Sequence, residues 1–261
     1  MTFSCRVIII IWILFSPTLS SAEVKKPGIF KIVYAQSWAP ISNGPAETVT
    51  GILPNLMDVI IQDRMGITVQ RQGLPWARAQ QAVKTGDADA FITTPTSTRL
   101  EFTRRSLGVV FPVRYQPIVR AGSEEEQILQ DEEDITDRLS SKRYCDVLGN
   151  GWAKKFYADL QISYDETPTL DICLKHLIEG RTDIIIHATN VTKSFITKMG
   201  IANKVKILPV IMSSSPQFPL LLSKNSAFGQ QFLKEFDEVL LKIKKEGLWE
   251  NLVNPSVATT N

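Results

Sequence analysis

Short apolar strands alternate with amphipathic helices along this chain, and the alternation comes in two halves. A strand run that is apolar on both faces must be covered by helices on both sides, and strand–helix–strand repeats build parallel sheets. In the first half, residues 31–35 (KIVYA), 67–70 and 88–92 read as strands. Between them, a helix starts at Gly51 with Ile52, Leu56, Val59 and Ile60 at helical spacing, and a second opens at Pro75 and closes at Gly86. The second half repeats the scheme with strands at 144–148, 182–187 (TDIIIH) and 205–211 and a helix over 170–177. The acidic stretch EEEQILQDEED (124–134) between the halves reads as a solvated connection or helix surface. A strand at 220–223 and an amphipathic helix over 228–245, with Phe232, Phe236, Val239, Leu240 and Ile243 on one face, complete the chain. The expected fold is α/β with two lobes.

The amino terminus fixes the compartment. Arg6, the apolar run 7–15 and Ser20-Ser21-Ala22 form a secretory signal with a small-residue cleavage site, so residues 1–22 are expected to be removed on export. The apolar run is shorter than the ~20 residues a membrane span needs, and Pro17 follows it. A formal net charge of +2 without a basic block argues against nucleic acid and against electrostatic docking on membranes. Of three cysteines, Cys145 and Cys173 lie beyond the signal. Their even number in an exported chain permits a disulfide, although spacing alone does not supply its geometry. No CxxC or HxxxH spacing suggests a metal site.

Residues 75–99, PWARAQQAVKTGDADAFITTPTSTR, carry the chemistry. An aromatic plate (Trp76), small hydroxyls (Thr93, Thr94) and a permanent cation (Arg99) fall on two consecutive loops at strand ends. This set suits a small anionic solute: a flat surface, hydrogen-bond partners and a bidentate clamp for a carboxylate. No nucleophile or acid–base pair stands among them, so the stretch reads as a site for holding, with no catalytic residue and no cofactor.

In order and spacing, YAQSWAP, TGILPNLMDVI, PWARAQQAVKTGDADA, TPTSTRLEF, GNGW, LKHLIEGRTDIIIHATN and FDEVLLKIKKEGLWENL resemble one family. It is that of the periplasmic solute-binding proteins of ABC importers, family 3, which includes glutamine-, histidine- and lysine/arginine/ornithine-binding proteins. The resemblance implies a type II Venus flytrap with two hinge crossings, near 117–120 and 216–219. Lobe one would be 24–118 plus 217–261, and lobe two 119–216. It further implies a monomer in the periplasm that takes a small polar solute with a carboxylate and passes it to an ABC permease in the inner membrane. By the same resemblance Arg99 and Thr94 would hold the carboxylate, and Trp76 and Trp38 would pack on the ligand. Gly149, Asn150, Gly151 and Trp152 would offer helix-start N–H groups, and His187 would face the cleft. The chain departs from the family where an aspartate usually meets the ligand's ammonium: Ala188 follows His187, and the first loop offers Ser37. Two alternatives share the scaffold: an enzyme resembling cyclohexadienyl dehydratases, with His187 as its acid–base group, and a free periplasmic sensor.

Overall fold

The computed structural model describes residues 28–253, so the expected signal at 1–22 lies outside the described residues. Strand β1 (Ile29–Ala35) leads through the small hairpin β2 (Ser37–Trp38) and β3 (Ser42–Asn43) into helix α1 (Ile52–Met57). That helix continues as a wider π-helical segment over Asp58–Arg64, which the apolar spacing does not announce. Strand β4 (Thr68–Leu74), helix α2 (Trp76–Thr85), strand β5 (Ala90–Ile92), helix α3 (Ser97–Phe102) and strand β6 (Thr103–Arg105) follow. The chain then passes the short β7 (Phe111–Pro112) into β8 (Tyr115–Arg120), the short helices α4 (Glu124–Ile128) and α5 (Asp134–Asp137), and β9 (Tyr144–Val147). Helix α6 (Gly151–Asp159), β10 (Tyr164–Thr167), α7 (Leu170–Ile178), β11 (Ile184–Ala188), α8 (Thr189–Met199) and β12 (Val205–Ile207) build the remainder of this half. The chain returns through β13 (Gln217–Phe218) to β14 (Leu220–Ser223), and ends in α9 (Gln230–Lys245) and α10 (Leu248–Val253).

Two five-stranded sheets result, ordered β4-β1-β5-β14-β6 and β10-β9-β11-β8-β12. In the first, β1 lies parallel to β4 and β5, and β14 is antiparallel to β5 and β6. In the second, β9 is parallel to β10 and β11, and β8 is antiparallel to β11 and β12. Both faces of the first sheet are covered. Val33, Phe91 and Leu221 bury with Ala79 and Val83 of α2, while Phe30 stacks on Phe232 of α9 with ring centres 4.7 Å apart. This double covering explains why β1 reads as almost continuously apolar.

The sheets are linked by β7 and β13, which pair antiparallel (Phe218 with Phe111, Gln217 with Pro112). Residues 216–219 contain β13. Residues 117–120, expected from the resemblance as a crossing, lie inside β8 and pair with β11 and β12. Pro117 is tolerated there because proline lacks only a donor, and its carbonyl still accepts from Leu208 N–H at 2.9 Å.

The acidic connection is less solvated than its composition suggests. Glu125 is buried and ion-paired to Lys142 at 2.8 Å, and Asp134 accepts from the N–H groups of Gln130 and Asp131. These bonds hold the Asp134 carboxyl below its ordinary range. Cys145 of β9 and Cys173 of α7 form a disulfide across 28 residues, pinning the helix to the sheet. A loop of that size contributes about 3.6 kcal/mol by chain-entropy reasoning. Replacing both cysteines with serine should therefore lower the unfolding free energy by about 3.6 kcal/mol; equal urea midpoints for the variant and the parent would contradict this.

Candidate functional site

The carboxyl ends of parallel strands from both sheets converge on one cavity. Ala35 ends β1, Leu74 ends β4 and Ile92 ends β5; from the other sheet come Val147 at the end of β9, Pro168 just past β10 and His187 near the end of β11. Ligands of open α/β sheets gather at such strand ends, because the loops there are free to vary while the sheet holds them. The cavity measures about 240 Å³, near the lower end for small-molecule sites. Its walls include Trp38, Trp76, Tyr115 and Phe218, with Thr93, Thr94, Asn150 and Thr169 among its polar groups. Arg99 is the only charged side chain among the described residues that line it.

Arg99 sits in α3, whose first turn is capped by Thr96 Oγ1 accepting from Arg99 N–H at 3.4 Å. The guanidinium is buried. Its Nε donates to Gln80 Oε1 (3.1 Å), Nη1 to Thr93 Oγ1 (3.2 Å) and Thr94 O (3.0 Å), and Nη2 to Gln80 Oε1 (2.9 Å) and Gly149 O (3.1 Å). All five donors of the side chain are thereby directed at neutral oxygens. Burial draws the guanidinium down to about 10, which leaves it charged at neutral pH. Its carbon lies 5.4 Å from the centre of the Trp76 ring, close enough for a cation–π contact.

The Gly149 carbonyl belongs to the second half of the chain, and it also accepts from Trp76 Nε1 at 3.0 Å. Two donors of the first half therefore hold one acceptor of the second. Glycine is required at this turn. Gly149 has φ +80°, and a Cβ there would stand 2.9 Å from Gln80 Nε2; at Gly151 it would stand 2.7 Å from Thr96 Cγ2. The small residues let the turn approach α2 and α3 closely.

The remaining expected residues separate into two groups. Trp38 lines the cavity and stacks on Phe218, ring centres 5.7 Å apart. Asn150 and Gly151 line it too, whereas Gly149 and Trp152 face a wider open groove beside it. The start of α6 is already capped: Asn150 Oδ1 accepts from the N–H groups of Trp152 (3.2 Å) and Ala153 (3.4 Å). The Trp152 indole donates to Ser214 O at 2.7 Å and its ring stacks on Phe156, so this side chain packs the second half. His187 lines the cavity, is buried and stacks on Tyr115 at 5.7 Å; its Nδ1 has no hydrogen-bond partner. Burial pushes the imidazole down to about 4, so it is neutral at pH 7.

Four residues of the site escape a sequence reading. Tyr115 and Phe218 come from β8 and from β13, remote in sequence from Arg99. Gln80 looks like any polar position of an amphipathic helix. Asp146 stands in the apolar strand YCDV and is fully buried behind Asn150, whose Nδ2 donates to its Oδ1 at 3.0 Å. Its Oδ2 has no partner, and burial pushes the carboxyl up to about 7. Because the folded chain holds this proton more tightly than the unfolded one, stability is full below about pH 4 and falls as the pH rises toward 7. Asp146→Asn should remove that slope, gaining roughly 2–4 kcal/mol over the parent at pH 8 but not at pH 4. Urea unfolding at the two pH values checks it, and parallel pH profiles would contradict it.

Among the described residues no helix is long and apolar enough to cross a membrane. The structure is similar to an ancestral arginine-binding protein bound to arginine, with 19% identity and a TM-score of 0.70 over 88% of this chain and 98% of that one. A Streptococcus pneumoniae amino-acid ABC transporter substrate-binding protein bound to L-arginine matches with 16% identity, a TM-score of 0.69, and coverage of 88% and 94%. The ligand-binding core of GluR0 from Nostoc punctiforme, in complex with L-glutamate, matches with 19% identity, a TM-score of 0.66, and coverage of 88% and 98%. At these identities the likeness shows the two-lobed α/β fold. No curated protein matches the sequence. The family model for bacterial extracellular solute-binding proteins, family 3, matches residues 30–255, and the chain belongs to that family.

Proposed function

We propose that this protein captures a small carboxylate-bearing solute between its two lobes outside the cytoplasm and delivers it to an ABC permease. One observation carries the reading: among the described residues lining a cavity between strand ends of both sheets, a single side chain is charged, the buried Arg99. A buried cation surrounded only by neutral oxygens is poised for an anion, because a charge-assisted bidentate pair is about twice as strong as the bonds it would replace. The lobes in this reading are the two sheets with their helices, and the β7–β13 pair is the hinge between them. A ligand bonded from both sides favours the closed form by its preference for that form over the open one. The relatives described above hold arginine and glutamate, which supports a compact carboxylate as the solute.

No carboxylate accompanies His187 in the cavity, so an acid–base pair for turnover is missing among the described lining residues, and the reading is one of binding. A calorimetric screen of amino acids, hydroxy acids, keto acids and simple carboxylates identifies the solutes. For each that binds, Arg99→Ala should weaken affinity by about 100-fold or more, with an unchanged circular dichroism spectrum. Undiminished affinity in a folded Arg99→Ala protein would overturn the assignment.

A further inference from the structure

We propose that the solute is an aryl or branched-alkyl carboxylate that carries no ammonium group. This deepens the reading of Arg99 as the holder of a carboxylate and rests on it. Two properties of the cavity support the narrower class.

The first is charge balance. Arg99 brings one positive charge, and no Asp or Glu stands among the described residues that line the cavity. A monoanion makes the site neutral. An amino-acid zwitterion restores the excess charge, and its ammonium would lose part of its hydration without gaining a counter-ion, which is costly. The Asp146 carboxyl does not fill that role: it does not line the cavity, and its Oδ1 accepts from Asn150 Nδ2 and from Val147 N–H.

The second is the walls. Trp38, Trp76, Phe218, Leu74 and Leu170 line a space of about 240 Å³. Their faces match an apolar body of one ring or one branched chain, and burial of that body drives binding in proportion to its area.

The test uses matched probes in calorimetry with the purified protein: L-phenyllactate against L-phenylalanine, L-leucate against L-leucine, and 3-(4-hydroxyphenyl)propionate against L-tyrosine. Each pair keeps the carboxylate and the side chain and removes the ammonium. In at least one pair the ammonium-free member should bind tenfold or more tighter. Equal or tighter binding of the amino acids overturns this inference, and the carboxylate reading stands if Arg99→Ala still abolishes that binding. Binding that survives Arg99→Ala, or binding of phenethylamine in place of the acids, overturns the carboxylate reading itself. If none of the six acids binds at millimolar concentration, the aryl and branched-alkyl class is overturned.

Discussion

A guanidinium buried among neutral oxygens sets the terms for the rest of this molecule. Arg99 keeps its charge in the interior because Gln80, Thr93, Thr94 and Gly149 together accept from all of its N–H groups. One of those acceptors is in the opposite half of the chain, so the same cation that is available to an anion also joins the two halves. The geometry depends on atoms that are not there. A side chain at Gly149 would collide with Gln80, and one at Gly151 with Thr96. In the proposed reading, a carboxylate entering the cavity would compete with the Gly149 carbonyl and the Thr93 hydroxyl for the same donors, exchanging neutral bonds for charge-assisted ones. Ligand binding and contact between the lobes would then be two uses of one group.

The second half answers with a supporting chain of its own. Asp146 holds Asn150, Asn150 caps α6, and the cap fixes the turn that presents the Gly149 carbonyl. The disulfide ties α7, the helix following β10, to β9 from which this turn emerges. Trp152, bonded to Ser214 and stacked on Phe156, fills the space behind the turn. A rigid turn matters because a carbonyl must reach two donors at once, Trp76 Nε1 at 3.0 Å and Arg99 Nη2 at 3.1 Å.

What was legible in the sequence follows from what local pattern encodes. Strand β1, helices α2 and α9, and the strand-end positions of Trp76 and Arg99 were all readable, because burial on a sheet leaves a period that survives in one dimension. Residues brought in by long-range pairing were not. Tyr115 reaches the cavity from an antiparallel strand inserted beside β11, and Phe218 from the link back to the first sheet. YQPIVR forms a strand although it contains a proline, because Pro117 uses only its carbonyl on that side, accepting from Leu208 N–H. The helix start at 149–152 shows a related limit: the pattern suggests free N–H groups, but Asn150 Oδ1 already accepts from those of Trp152 and Ala153. Helix α8 was missed for the opposite reason: TNVTKSFITKM is rich in β-branched residues, and burial of Val191 and Thr192 overrides their weak helix preference.

The comparison with amino-acid binders separates what the fold contributes from what the loops decide. The family match spans nearly the whole described chain, and the similar structures cover 88% of it, yet their identities near 19% leave most lining positions free to differ. Sheet cores resist change because each buried side chain touches many others. A residue at a strand's end contacts the core on one side and the cavity on the other, so its charge can change with little effect on the sheet. Ala188, buried at the end of β11, is such a position. Discrimination between two solutes is a difference of affinities. In the proposed reading, a wall without a carboxylate disfavours an ammonium while leaving the Arg99 cation, and with it the hold on a carboxylate, unchanged.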